Sequence, residues 1–590
     1  MMAFSKRPIA LVYGFVVSAF FCLVTEPRPI KADDWPQWLG PRRDGVWREK
    51  GIIEKFPKKG PTVLWRKEIA AGYSGPAVAD GRVYVTDHIR PTKLKDGGDK
   101  APEPSEPEKE RILCLDARNG DLLWKHEYDC KYARVGYSSG PRTTPVVEEG
   151  KVYTLGTMGD LLCLDALKGS LVWSKNLVKE YKTKVPVWGY SAHLLVDGDR
   201  LISLVGGDKS AVAAFDKKTG KELWRALSTE EIGYAPPAIY DAGGKRQLIV
   251  WLTESLNGLS PESGDVYWSE PYPTDGKPMR PAVTIMMPRK MKDLLFVSTY
   301  YHGPMMLKLD RDKPAASVLW KSKSANIEKQ DPINVLIPTP FLKDGYIYGV
   351  GGVGDLCCLK ADTGEKIWET FKATGGKKAD FAAVFIVAQE DRFFLFNDQG
   401  DLIIAHMTPK GYEEISKAHL LDPLQSARGR EIVWSHPAFA NRCVFARNDK
   451  EIICVSLAAG ADDKDAVKKD LAKFQGAWIF ESIEVEGQMS PVDEFKGIKL
   501  VIKDDASFTM NDGDVVYKGT IKIDPAKKPK EIDVIFTEGP EKGTTMIGIY
   551  ELDDTTYRPC FKLKGKDRPT EFTAKKGSGQ VLEALKKVKQ

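Results

Sequence analysis

Six stretches of the chain end in the same phrase, and the phrase returns at a nearly fixed interval. They read LDARNGDLLW (115–124), LDALKGSLVW (164–173), FDKKTGKELW (215–224), LSPESGDVYW (259–268), LDRDKPAASVLW (309–320) and LKADTGEKIW (359–368). In five of the six, a Gly stands four residues before the Trp: Gly120, Gly169, Gly220, Gly264 and Gly364. The tryptophans are spaced by 49, 51, 44, 52 and 48 residues. Self-similarity at such a period means an array of like units, each burying its faces against a neighbour.

The inside of each unit decides which array. A short run containing Pro, such as GYSGPAVADG (72–81), is followed by one like RVYVTD (82–87), then by ILCLD (112–116), a Gly-containing turn and the run that ends in Trp. The runs are short, rich in Val, Ile, Leu and Tyr, and separated by Gly, Asn or Asp, which is strand-turn-strand punctuation. Apolar residues do not recur at i, i+3 and i+4, as a helical repeat requires. Four short strands per unit describe a propeller blade.

Aligning first strands counts the blades. Pro76, Pro145, Pro237, Pro281, Pro340 and Pro437 share one position, His193 takes it in a third blade through the match of Asp80-Gly81 with Asp197-Gly198, and Phe381–Val387 begins a further blade without Pro. That makes eight. The last blade holds only HPAFAN, RCVFAR and EIICVSL, and PTVLW (61–65) has a Trp-ending strand without partners. Lending that strand to the last blade closes the ring and removes free sheet edges. Trp434 lies three residues before Pro437 and belongs to the approach to the last blade; the seventh blade ends around Gly411–Ile415.

The phrase resembles the pyrroloquinoline-quinone-type (PQQ-type) repeat propellers, over roughly 61–457, and the opening WPQWLGPRRDGVW (35–47) resembles the leader of a subgroup found in planctomycete bacteria. The resemblance implies that each outer-strand Trp docks on the neighbouring blade. A Trp at one fixed strand position per blade reads as packing on physical grounds as well. In size and repeat type the chain resembles the outer-membrane-assembly propeller, which implies a scaffold without catalysis.

After Leu457 the pattern stops. Residues 458–474 read as a linker and short helix, and 475–590 as a small antiparallel barrel or sandwich of eight strands, the last being EFTAKK (571–576). GAW (476–478), TYRPCF (556–561) and RPTEF (568–572) resemble a lipocalin-like domain common in planctomycete proteins. A filled interior is expected of so small a barrel. The fold class is thus all-β: an eight-bladed propeller closed by an N-terminal strand, followed by the barrel.

Residues 1–32 read as a signal peptide. Lys6 and Arg7 precede an apolar run from Ile9 to Val24, with a cleavage site near Ile30-Lys31-Ala32; a retained anchor is the alternative. Residues 33–60 form the leader. An exported chain, periplasmic or extracellular and with no transmembrane span once mature, follows. With 87 Lys+Arg against 82 Asp+Glu, the net charge of +5 is spread rather than clustered, so no nucleic-acid partner is expected. Export permits disulfides, yet Cys114, Cys163 and Cys358 fill one slot of the repeat, where Ala214 stands in a fourth unit. A small buried residue is wanted there.

Chemistry is left to the loops that lead into the blades, which gather around the central channel. They supply Tyr73, Ser74, Arg142, Trp188, Tyr190, Tyr234, Arg280, Asp380, Trp434 and His436. Arg, Trp and Tyr around a concave mouth suit an anionic, aromatic or extended ligand. The Pro-, Lys- and Glu-rich insertion 89–111 is expected on the same face. Gly349–Gly354 matches GxGxxG, but a strand follows it, so it reads as a blade turn. Cys357-Cys358 resembles the adjacent pair over which quinoprotein dehydrogenases stack their quinone; inside a strand the two side chains point to opposite faces. The seven histidines form no zinc pattern. Three functions stay open: a scaffold or binder of protein or polysaccharide partners without a cofactor, a PQQ- and calcium-dependent dehydrogenase of alcohols or sugars, and a sugar-binding propeller.

Overall fold

Each repeated phrase folds as the outer hairpin of one four-stranded antiparallel sheet. Eight such sheets make the ring, in the computed structural model, which describes residues 34–588 apart from 91–106, 274–277, 323–331, 460, 526, 528 and 564–566. Residues 1–32, read from the sequence as a signal peptide, and most of the insertion lie outside the described residues. Blades one to seven span 77–129, 146–176, 195–226, 238–271, 289–321, 341–370 and 384–419 in chain order. Blade eight joins 438–456 to the strand Val63–Glu68, whose Arg66 pairs with Ile453. The N-terminal strand thus closes the ring.

The phrase itself is explained by two contacts. Within a blade, the Trp lies in register with the small residue of the third strand: Cys114 with Trp124, Cys163 with Trp173, Ala214 with Trp224, Gly258 with Trp268 and Cys358 with Trp368. The three thiols are fully buried. Between blades, the indole reaches the next blade. Nε1 of Trp124 donates to Ala166 O at 3.0 Å, that of Trp173 to Lys217 O at 3.1 Å and that of Trp224 to Pro261 O at 3.1 Å. The ring face then lies on the next phrase's Gly. A Cβ on Gly169 would stand 2.4 Å from Trp124, and one on Gly264 would stand 2.6 Å from Trp224. The exception is consistent: the fifth phrase lacks the Gly, and Trp268 before it donates instead to Gln247 Oε1 of its own blade at 2.7 Å.

Two details of the alignment change. The first strand of blade five is Arg289–Met291, so Pro288 holds the proline position and Pro281 lies in the connection. His193 also moves by one. The turn in blade one is Asp80-Gly81, between paired Ala79 and Arg82, whereas in blade three it is Gly198-Asp199, between paired Asp197 and Arg200. Leu194 therefore matches Pro76, and His193 matches Gly75 and His436.

The leader crosses the axis of the ring, on the side of the turns between first and second strands. Trp35 bridges to Val78 of blade one, and Pro36 O accepts from Val147 N of blade two at 2.8 Å. Arg43 donates to Pro237 O at 3.1 Å, and Arg289 donates to Asp44 O at 2.9 Å. Trp47 N bonds Ala388 O at 2.8 Å, and the Glu49 carboxylate accepts from Asn441 N at 2.7 Å and from Arg442 N. Trp35, Trp38 and Trp47 are all buried, at 3%, 3% and 1% exposure. Three indoles and two positive-φ glycines, Gly40 and Gly45, let a segment without regular structure pack as core.

Beyond the ring, the helix Ala461–Phe474 leads into a closed barrel of eight antiparallel strands, from Gly476–Val485 to Gln580–Lys587, and the first pairs with the last. The expected strand 571–576 is not one; the closing strand is Gln580–Lys587. Phe474, Trp478, Phe508, Phe536, Tyr557 and Phe561 belong to the core that fills the interior. Among the described residues no helix is long and apolar enough to cross a membrane.

Candidate functional site

On the axis, above the leader, lies a cavity of about 250 Å³ to which every blade contributes. Its floor is Trp38, stacked on His193 at 4.5 Å and met edge-on by His436 at 5.5 Å. These two histidines occupy equivalent positions in blades three and eight. His193 Nδ1 accepts from Thr144 N at 3.0 Å, so its remaining proton sits on Nε2. Burial holds both imidazoles neutral: His193 is pushed well below its ordinary value and His436 down to about 3.

The wall is aromatic. Trp188 leans on Tyr234 at 5.2 Å, and Tyr137 meets Trp434 edge-on at 5.4 Å. Opposite, Tyr300 contacts Tyr301 at 5.3 Å and Phe381 at 5.5 Å. Local backbone makes this possible. Gly136 lies where a Cβ would stand 2.9 Å from Trp188, and Gly140 where one would stand 2.5 Å from Ala71 O. The 136–142 loop folds around the Arg142 guanidinium, which donates to Gly140 O at 3.0 Å and to Gly136 O at 2.7 Å. Arg142 also lies over the Tyr73 ring at 4.9 Å, and burial lowers its pKa. Arg428, from the small hairpin 425–432, lies over Phe381 at 5.0 Å.

Of the residues read from sequence, Tyr73, Arg142, Trp188, Tyr234, Trp434 and His436 line this cavity. Tyr190 does not: it is 1% exposed, and its hydroxyl donates to Val205 O at 2.8 Å. Arg280 is taken up by acids, Glu230 at 3.2 Å, Glu231 at 3.4 Å and Glu254 at 2.5 Å. Asp380 stays on the rim, where its carbonyl accepts from Arg430 Nε at 3.2 Å. Ser74 is fully buried and bonds Gly75 O. Sequence reasoning missed the floor, Trp38 and His193, and on the wall Tyr300, Tyr301, Phe381 and Arg428. Trp38 had a signal, being one of three indoles in a leader of under thirty residues without a strand pattern.

The one serine on the wall, Ser191, donates to Trp188 O and Gly189 O, both at 3.3 Å, and no histidine hydrogen-bonds it. The Gly349–Gly354 stretch is the end of the second strand of blade six, Tyr346–Val350, and the turn that leads to the third, Leu356–Lys360. Cys357 and Cys358 lie in the third strand and enter two different cores.

Residues 108–337 match a family model described as outer membrane protein assembly factor BamB. The comparison with curated proteins gives no match. Among solved structures, BamB from Moraxella catarrhalis is similar at 14% identity and a TM-score of 0.43, over 67% of this chain and 97% of that one. Quinohemoprotein alcohol dehydrogenase from Comamonas testosteroni is similar at 14% identity and a TM-score of 0.47, over 72% of this chain and 81% of that one. The computationally designed Ika8 protein follows at 11% identity and a TM-score of 0.42, over 67% and 100%. None of the three assigns a chemistry to this chain. The repeated phrase and the eight four-stranded blades make the chain an eight-bladed β-propeller followed by a closed β-barrel, and over residues 108–337 it is similar to the assembly-factor family.

Proposed function

We propose that the chain is an exported binding propeller, a scaffold without catalysis that holds part of a protein or polysaccharide partner in its axial cavity. One observation carries the reading: the described wall offers aromatic faces and hydrogen-bond donors, with no paired nucleophile and base. The match to an assembly-factor family supports a scaffold role. The dehydrogenase reading asks for a calcium ion held by carboxylate and amide oxygens. No Asp, Glu, Asn or Gln is among the residues lining the cavity, so the lining does not fit a calcium-held quinone.

The test is a thermal-shift and calorimetric panel of oligosaccharides and peptides, run on the wild-type chain and on Trp188→Ala and Trp434→Ala. Binding that both variants lose supports the reading. Stoichiometric uptake of PQQ with calcium, together with alcohol-dependent dye reduction, would overturn it.

A further inference from the structure

We propose that the cavity recognises a carboxylate-bearing sugar at the end of an acidic glycan, with Arg142 and Arg428 reading the negative charge. This rests on the binding reading above and names the ligand class for the same site.

The first argument is uncompensated charge. Arg142 and Arg428 each lie on an aromatic face, Tyr73 and Phe381, and among the described residues neither forms an ion pair. Elsewhere in the ring, arginines near the channel are spent on acids: Arg280 on three glutamates and Arg430 on Asp398 at 2.7 Å. A guanidinium held against an aromatic ring with no carboxylate in ion-pair range keeps its affinity for a planar anion. Arg142 is held in place by backbone carbonyls, and its Nε–H has no partner among the described residues.

The second argument is the imbalance of donors and acceptors. Besides the guanidiniums, the wall carries tyrosyl hydroxyls and the Nε2–H of His193. No side-chain amide or carboxylate oxygen lines it. A neutral sugar presents hydroxyls that must donate as well as accept, and buried donors left unpaired are costly. A carboxylate only accepts, which suits this wall.

The third argument is shape. Trp38 closes the floor, so a ligand enters end-on. At about 250 Å³ the cavity is below the range usual for ligand pockets, about 300–1,000 Å³. It admits a ring-sized terminal group rather than a peptide loop, and the flat Trp and Tyr faces match a ring. Asp380 forms no ion pair with Arg428 among the described residues.

The experiment is calorimetry with trimers of galacturonate, mannuronate and guluronate, their methyl esters, a neutral galactose trimer, and a Glu-rich hexapeptide. Arg428→Ala is the primary variant, because Arg428 makes no backbone bond that folding needs; Arg142→Lys is the second. At least one uronate trimer is expected to bind, and its ester and the neutral trimer to bind about tenfold to hundredfold more weakly. Arg428→Ala should erase that difference. Because the floor histidines are neutral, affinity should stay flat from about pH 5.5 to about pH 8, where the carboxylate is ionised throughout. Equal affinity for acidic and neutral trimers overturns the charge reading while the binding reading stands. Binding of the hexapeptide alone moves the ligand to acidic peptides and overturns this proposal. Failure of every uronate to bind overturns it as well.

Discussion

Placing a methyl group on Gly169 tests how the ring is assembled. Gly169 adopts a φ of +69, and a Cβ there would stand 2.4 Å from Trp124 of the preceding blade. Gly150, in the same blade, has a φ of +72 with nothing within 4 Å of its Cβ position. Both replacements incur the left-handed strain of an L-residue, about 1–2 kcal/mol. Only Gly169→Ala also forces the indole off its seat, an overpacking cost of about 1–3 kcal/mol. Urea unfolding should therefore show Gly150→Ala less stable by about 1–2 kcal/mol and Gly169→Ala by about 2–5 kcal/mol. The cycle with Trp124→Ala isolates the contact. Alone, that change should cost about 3–5 kcal/mol. In its background Gly169→Ala should fall to the cost of Gly150→Ala, a coupling of about 1–3 kcal/mol. Equal losses at the two glycines, or strict additivity with Trp124→Ala, would refute the docking explanation of the repeated phrase.

Three further outcomes follow from the same geometry. Burial holds His436 at about 3 against an ordinary 6.5 and pushes His193 down as well, so the unfolded chain takes up protons that the folded one refuses; stability should fall as pH drops below 6.5, by about 2 kcal/mol from His436 at about pH 5, and His436→Gln should remove about half of the fall in the urea-midpoint profile that the two histidines cause. Glu49→Ala leaves Asn441 N and Arg442 N without their acceptor; it should cost about 3 kcal/mol and speed protease cleavage of the leader, and an unchanged cleavage rate would dismiss the clasp. In the barrel, buried Asp470 accepts from Lys530 Nζ at 2.7 Å and Tyr550 OH at 2.8 Å; Asp470→Ala should lower the barrel's calorimetric transition by about 2–4 kcal/mol without moving that of the ring, and a joint shift would count against this.

What the sequence revealed and what it hid have physical causes. The outer-strand Trp and turn Gly are legible because one contact is repeated between neighbouring blades, so the same chemistry recurs at one period. The strand 61–65 could be given to the last blade because a Trp-ending run without partners leaves an edge to cover. Errors arose where a local pattern has two registers. Asp-Gly and Gly-Asp both make a two-residue turn, which shifted His193 by one place, and Pro281 and Pro288 both precede blade five. The final barrel strand, QVLEALKK, carries helix-forming residues; pairing with strands on both sides overrides that preference. In the cavity, lead-in aromatics such as Tyr73 and Trp188 could be read from their place before a blade. Tyr300 and Tyr301 come from a turn between strands, Arg428 from an added hairpin, and Trp38 from the leader, so no repeat position marks them.

The closing strand has a kinetic consequence. Arg66 meets Glu451 across a sequence separation of 385 residues. Contacts of that separation form late, since loop-closure entropy must be met before they stabilise anything. The strand is continuous with the leader, so the same event that zips blade eight also lays Trp38 across the axis. A ring still missing that strand has seven whole blades, a frayed eighth and a bottomless shaft instead of a pocket. Binding of the proposed ligand would therefore report completion of folding, and a protease cut between residues 56 and 63 would uncouple the two.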